Sequence, residues 1–256
     1  MPLCHVAFVL FPKMKKIIFA LLISFKIMIP LSAQKFERDT TFRKTPVAGF
    51  VAPLALIGGG LAINNNAFKQ KQLDYRQENF PDFNNKIDDV LQFVPHGAVF
   101  ALDWIGIKSK HGFGDKIGLM LTGSIIMLGT VNALKYTTDQ IRPDNSSANS
   151  FPSGHTANAF FGAAVLAEEY KDQSIFYPIA GYTVATATGV FRILNNRHWA
   201  SDVLVGAGIG ILSAKAAYVV YPWLKEKIGK KHIPKNVVLV PLYDGITTGG
   251  SLVIGF

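Results

Sequence analysis

The sequence predicts an all-α protein: a helical bundle carrying a short extended C-terminal tail. Apolar runs recur along the chain at helical rather than strand lengths, several of them without a charged residue. Only 17% of residues are charged, against the roughly 25% usual for soluble domains. Glycine is frequent, and much of it falls inside the apolar runs, as in closely packed helices. A length of 256 residues fits one domain.

Residues 1–33 read as a leader. From Met14 the chain runs MKKIIFALLISFKIMIPLSAQ. Lys15 and Lys16 form a positive region, Ile17–Leu31 an apolar region interrupted by Lys26, and Ala33 a small residue before a cleavage point. This is the pattern of a secretory signal peptide. Leu31 suits cleavage poorly, so an uncleaved membrane anchor is the competing reading. Met1–Lys13 adds a second apolar run ahead of the positive region, which makes Met14 the better start. Cys4 falls in this leader, so no disulfide or thiol chemistry is expected of the rest.

Residues 34–232 form the expected helical domain, with about six apolar helical segments, and the bundle is expected to be membrane-embedded. Val47–Ile63 is uncharged but only 17 residues long, short of the about 20 that cross a bilayer. Asn64–Asp89 is polar and holds an amphipathic stretch broken by Pro81, so an exposed helix and a loop are expected. Val90–Ile107 is apolar apart from His96 and Asp103. Ile117–Leu134 has no charge and is the best spanning candidate. Lys135–Ser153 is loop-like. His155–Ala167, Ile175–Phe191 and Val203–Leu224 complete the helices. Residues 233–256 form the tail, with strands expected at Val237–Val240 and Ser251–Phe256 around a turn at Tyr243–Gly245.

The formal charge is +9. Lys225, Lys227, Lys230, Lys231 and Lys235 follow an apolar run, which reads as a juxtamembrane patch toward anionic lipid. No helix-turn-helix, zinc-finger or stacking-aromatic motif supports nucleic acid as a partner. The expected partners are membrane lipids and a phosphorylated lipid or small phosphomonoester.

Three motifs carry chemistry, each at the edge of an apolar helix. Lys135 precedes Arg142–Pro143 by six intervening residues. Pro152–Ser153–Gly154–His155 opens a helical run. Arg192, His198 and Asp202 follow at a five-residue and a three-residue interval. Lys135 and Arg142 can converge on one anion, and the Arg142 fork matches phosphate oxygens. Ser153 and Gly154 place backbone amides at a helix N-terminus, a natural anion site. His155 sits where it can donate a proton to a leaving oxygen. His198 and Asp202, four apart, are expected to share a helix face. The carboxylate would fix one imidazole nitrogen and free the other to attack phosphorus. Arg192 adds a third cation. Ionisable residues at such positions in a charge-poor chain are functional candidates.

These motifs, over Lys135–Asp202, resemble the type 2 phosphatidic acid phosphatase and vanadium haloperoxidase superfamily. The resemblance implies a helical bundle of that type and metal-independent phosphoester hydrolysis, with no cofactor and no metal. His198 would be the nucleophile, Asp202 its orienting group and His155 the general acid. Lys135, Arg142, Ser153, Gly154 and Arg192 would bind phosphate. One departure is Phe191, where the family often has serine before the third motif.

The remaining histidines read as structural: His96 packed or at a lipid interface, His111 and His232 solvated. Arg197 reaches a head group or stays in solvent. Trp199 lines the pocket mouth or anchors at the membrane interface. The positive-inside rule favours catalytic loops facing the periplasm of a bacterial-type inner membrane, with Lys35–Lys44 and Lys225–Lys235 cytoplasmic. A cleaved leader conflicts with six full spans, so incomplete crossing by Val47–Ile63 or a partly soluble periplasmic domain is favoured. The expected reaction is hydrolysis of a lipid phosphate or pyrophosphate, such as phosphatidate, an isoprenoid pyrophosphate or a lipid A phosphate. A non-specific periplasmic acid phosphatase is the alternative, and a vanadium haloperoxidase a more distant one.

Overall fold

The computed structural model describes residues 47–230 and the backbone of 237–243 and 248–254. The leader with Cys4, residues Lys35–Lys44, and His232, Lys231 and Lys235 lie outside the described residues.

A turn of 3-10 helix, Val47–Phe50, leads into α1 (Val51–Ala62). Next comes α2 (Asn66–Asn79), whose cap residue Asn65 accepts a hydrogen bond from the Phe68 amide at 3.0 Å. The apolar run at 90–107 does not form one helix. It divides into the end of α3 (Ile87–Leu91) and α4 (Val94–Trp104). Pro95, in the first turn of α4, lacks an amide to continue a helix through it and is suited to starting one. Four longer helices follow: α5 (Phe113–Thr138), α6 (Gly154–Tyr170), α7 (Phe176–Leu194) and α8 (Ala200–Lys230). The last turn of α5 takes in residues expected to be loop, and the helix ends on Asp139 at φ 43°, a left-handed stop. In the tail, β1 (Val237–Tyr243) and β2 (Thr248–Ile254) pair antiparallel, with Tyr243 opposite Thr248.

The core lies around α6, which packs against α4, α5, α7 and α8. Ala157, Phe161 and Val165 are fully buried on one of its faces, Ala159 and Ala163 on another. A helix apolar all round belongs inside a bundle. By contrast, α5 turns Leu121, Ile125 and Leu128 outward. Among the described residues, α5 and the Ala200–Lys227 part of α8 are the two helices long and apolar enough to cross a membrane.

One end of the bundle is tied by a buried polar network. His111, expected in solvent, is 1% exposed. Its amide donates to Glu169 and its Nδ1 lies 2.8 Å from the same carboxylate, which also accepts from the Tyr218 hydroxyl at 2.6 Å. Lys116, fully buried, bonds Asp103 and donates to the Val99 carbonyl at 3.0 Å. Short-range polarity misplaced His111, because its partner stands 58 residues away on α6.

At the other end, α6 and α8 approach too closely for side chains at two points. A Cβ on Gly206 would stand 2.5 Å from the Ser153 carbonyl oxygen, and one on Gly210 would collide with the Ala157 carbonyl. Replacing Gly206 with alanine therefore overpacks a backbone contact, at a cost of about 1–3 kcal/mol. Gly206→Ala is expected to lower the thermal midpoint in detergent by about 2–10 °C. Gly58→Ala, with nothing within 4 Å of the new methyl, should leave it unchanged or slightly raised.

Candidate active site

The four long helices alternate in direction, so the end of α5, the start of α6, the end of α7 and the start of α8 meet at one end. Lys135 lies in the last turn of α5 and Arg192 in that of α7. Ser153 caps α6, with Gly154 and His155 in its first turn. Arg142 stands on the α5–α6 loop and Asp202 in the first turn of α8. All eight residues singled out in the sequence reach this end. The second and third motifs join directly, since the Ser153 amide donates to the Asp202 carbonyl at 3.0 Å.

The expectation that His198 shares a helix face with Asp202 is corrected. His198 precedes α8, in the loop after Leu194. That loop folds back on α7, with the Arg197 amide on the Arg192 carbonyl at 3.0 Å and the His198 amide on it at 3.3 Å. It also passes through Asn196 at φ 59°, a conformation asparagine tolerates. His198 Nδ1 still lies 3.4 Å from Asp202 Oδ2, without the alignment of a hydrogen bond. The Asp202 carboxylate is occupied by other donors: Gln140 at 2.6 Å, the Trp199 amide at 3.0 Å and the Ser150 hydroxyl. They fix the carboxylate behind the imidazole.

His198 is 1% exposed. Burial pushes its imidazole down to about 4, against the upward pull of Asp202, and Arg192 and Lys135 push it down further. The ring is thus neutral at pH 7. A neutral imidazole whose Nδ1 faces a carboxylate has Nε2 as its nucleophilic nitrogen.

The cations are each tethered. Lys135 donates to the Asn149 carbonyl and Arg142 Nε to the Asn149 side chain at 3.1 Å. Arg192 pairs with the buried Asp88 at 2.7 Å, while its Nε is buried without a partner among the described residues. Burial and the charge of Arg192 push the Arg142 guanidinium below its usual range. Cations close enough for one charge to act on the next share a pocket, and an anion would satisfy them together. Ser153 is fully buried, and its hydroxyl accepts from the Thr156 amide at 3.4 Å, so the α6 N-terminus is capped beside these cations. His155 is half-buried, its Nε2 2.9 Å from Asp89 Oδ1. Among the described residues, no group of three histidine, cysteine or acidic side chains could hold a metal ion.

Sequence reading missed Gln140, Ser150, Asp88, Asp89 and Gln72. Gln72, on α2, bonds both the His198 carbonyl and the Ala200 amide, at 3.2 and 2.8 Å, and so braces the loop between them. No spacing announces such residues, since they act across 52 to 128 positions of sequence. Trp199 is corrected as an interface anchor: it is 8% exposed and donates its indole N–H to the Ile141 carbonyl at 2.8 Å. Arg197 is exposed and pairs with Asp144 at 3.0 Å. His96 packs beside Phe161, with Nε2 3.0 Å from the Asn158 carbonyl. Phe191 stacks on Phe83 at 5.8 Å, which gives the departing position a packing role.

The helical bundle thus brings cations, a helix N-terminus and a histidine–aspartate pair to one end, an arrangement chemically suited to holding an oxyanion. Residues 116–226 match the model of the PAP2 superfamily. It is 43% identical over 164 residues to a lipid A 1-phosphatase of Porphyromonas gingivalis, covering 64% of this chain and 36% of that protein. It is 33% identical over 107 residues to phosphatidylglycerophosphatase B of Bacillus subtilis, covering 37% of this chain and 51% of that protein. The chain thus spans about a third and a half of these relatives' lengths. Among solved structures it is similar to LpxE of Aquifex aeolicus, at 22% identity and TM-score 0.44, covering 57% of this chain and 93% of that one. It is also similar to a transmembrane PAP2 type phosphatidylglycerolphosphate phosphatase of Bacillus subtilis, at 23% identity and TM-score 0.41 over 75% of this chain and all of that one.

Proposed function

We propose that this protein is a phosphatase that hydrolyses a lipid phosphate or pyrophosphate through a phosphohistidine on His198. Lys135, Arg142, Arg192 and the Ser153–Gly154 backbone grip the phosphoryl oxygens, and Asp202 orients the nucleophile. His155 protonates the leaving oxygen. The observation that carries this reading is a neutral, buried His198 held against a fixed carboxylate and within the field of Arg192 and Lys135. Burying cations costs free energy, and an anionic ligand is what offsets that cost.

The amphiphilic class of substrate is supported by a groove of about 390 Å³ beside the site. Ile57, Leu61, Leu134, Phe151, Val205 and Ile209 line it, so its walls are apolar. Leu134 adjoins Lys135, and Phe151 lies two residues before Ser153. A phosphate in the cation cluster therefore has an apolar channel within reach for an acyl or isoprenoid chain. The relatives named for lipid A and phosphatidylglycerophosphate support the same class.

The catalytic end faces the periplasm in this reading. Helix direction puts Lys108, Lys110, Lys171, Lys225 and Lys227 at the opposite end, where the positive-inside rule places cytoplasmic loops.

Phosphate release from a panel of lipid and soluble phosphates tests the activity. Turnover of phosphatidate or a lipid pyrophosphate above that of soluble phosphomonoesters is expected. His198→Ala should fall by about four orders of magnitude or more. No release from any substrate, or full activity in His198→Ala, would falsify the proposal. Sidedness is read by a protease-sensitive tag after Ser174. It should be protected in intact spheroplasts and cut once detergent is added, and cleavage in intact spheroplasts contradicts the periplasmic assignment.

A further inference from the structure

Two adjacent carboxylates on α3 reach the site, and they meet different partners. Asp88 is buried and holds Arg192 at 2.7 Å and the Asn195 amide at 3.0 Å. That double anchor fixes the short α3 against the C-terminal end of α7. The next residue, Asp89, is thereby carried to His155, with Oδ1 2.9 Å from Nε2. The same Asp89 oxygen lies 3.9 Å from Arg192 Nη1, so the pair stands at the edge of the phosphate-gripping cluster. His155 Nδ1 has no hydrogen-bond partner among the described residues. The charges facing this imidazole are Asp88 and Asp89 from α3 and Arg192 from α7. Asp89 lies outside the residues matched to the superfamily, and none of the three motifs includes it.

We infer that Asp89 is a positioning residue for His155, its carboxylate holding one ring nitrogen so that the other is presented to the leaving oxygen of the substrate. The inference rests on the phosphatase reading above. In the first half-reaction His198 Nε2 bonds phosphorus, the ester P–O bond breaks and the leaving oxygen takes the His155 proton. In the second, water attacks phosphorus and gives a proton to His155. The P–N bond then breaks and its electrons return to His198. Asp89 gains and loses no proton in either half. It fixes the ring's tautomer and angle, the role a carboxylate plays behind a catalytic imidazole. The site thus has two histidine–aspartate pairs: His198 with Asp202 for the nucleophile, and His155 with Asp89 for the leaving group.

The leaving group reads this role separately from any effect on folding. p-Nitrophenolate departs with little help from an acid, whereas the alkoxide of a lipid phosphate needs a proton. Asp89→Asn is measured in the full-length enzyme in detergent micelles, with phosphatidate and p-nitrophenyl phosphate as paired substrates. The expected result is a fall in kcat of roughly tenfold or more on phosphatidate, within the range of acid catalysis, and a change of about twofold or less on p-nitrophenyl phosphate. Asp89→Glu should recover part of the lost rate, and His155→Ala should show the same split, larger. Equal losses on both substrates, or unchanged or faster phosphatidate turnover in Asp89→Asn, overturn the inference and leave the phosphatase reading standing. If the wild type prefers another lipid phosphate of the panel, that lipid takes the place of phosphatidate; a wild-type enzyme inactive on the whole panel ends the phosphatase reading and this inference together.

Discussion

Like charges must be held together at one end of a bundle otherwise poor in charge, and much of the architecture answers that constraint. Lys135, Arg142 and Arg192 arrive from three different segments. Left free, such side chains would point to separate patches of solvent. Each is instead tied: two to Asn149, one to Asp88. The tethers leave donors over, notably the buried Arg192 Nε. Preorganised donors of this kind stabilise charge that develops during a reaction without reorganising to do so.

The same constraint sets the state of His198. A histidine among cations and out of water gives up its proton, and His198 is accordingly neutral at pH 7. Neutrality is what an attacking imidazole requires, so in the proposed mechanism the groups that bind the phosphate also prepare the group that attacks it. Backbone packing makes the arrangement possible. Because Gly206 carries no side chain, α8 lies against the Ser153 carbonyl, and the Asp202 carbonyl takes the Ser153 amide. The capped helix and the histidine–aspartate pair are therefore fixed to one another through main chain.

The candidate site residues, which the fold brings to one end, were legible in the sequence because they are chemically rare in their setting. A lysine, two arginines, two histidines and an aspartate at apolar helix ends are visible from residue type and spacing alone. The long helices were legible too, since α5 and α8 contain the uncharged runs that announced them. What failed were inferences from local spacing or local polarity. Four-residue spacing placed His198 on a helix that starts two residues later, at Ala200. Polar neighbours put His111 in solvent, though Glu169 and Tyr218 bury it. Gln72, Gln140, Ser150 and Asp89 could not be picked out, because a glutamine, a serine or a surface aspartate is common and gains its role only from a partner distant in sequence.

Covalent capture of phosphorus by His198 is the proposed step on which the other roles depend, and trapping that intermediate tests it most directly. Full-length enzyme turning over a lipid substrate with radiolabelled phosphate is denatured in alkali, and the labelled peptide is located. The expected result is label on His198 that survives base, is lost in acid and is absent from His198→Ala. Label on another residue, or an active enzyme from which label is never trapped at His198, contradicts it.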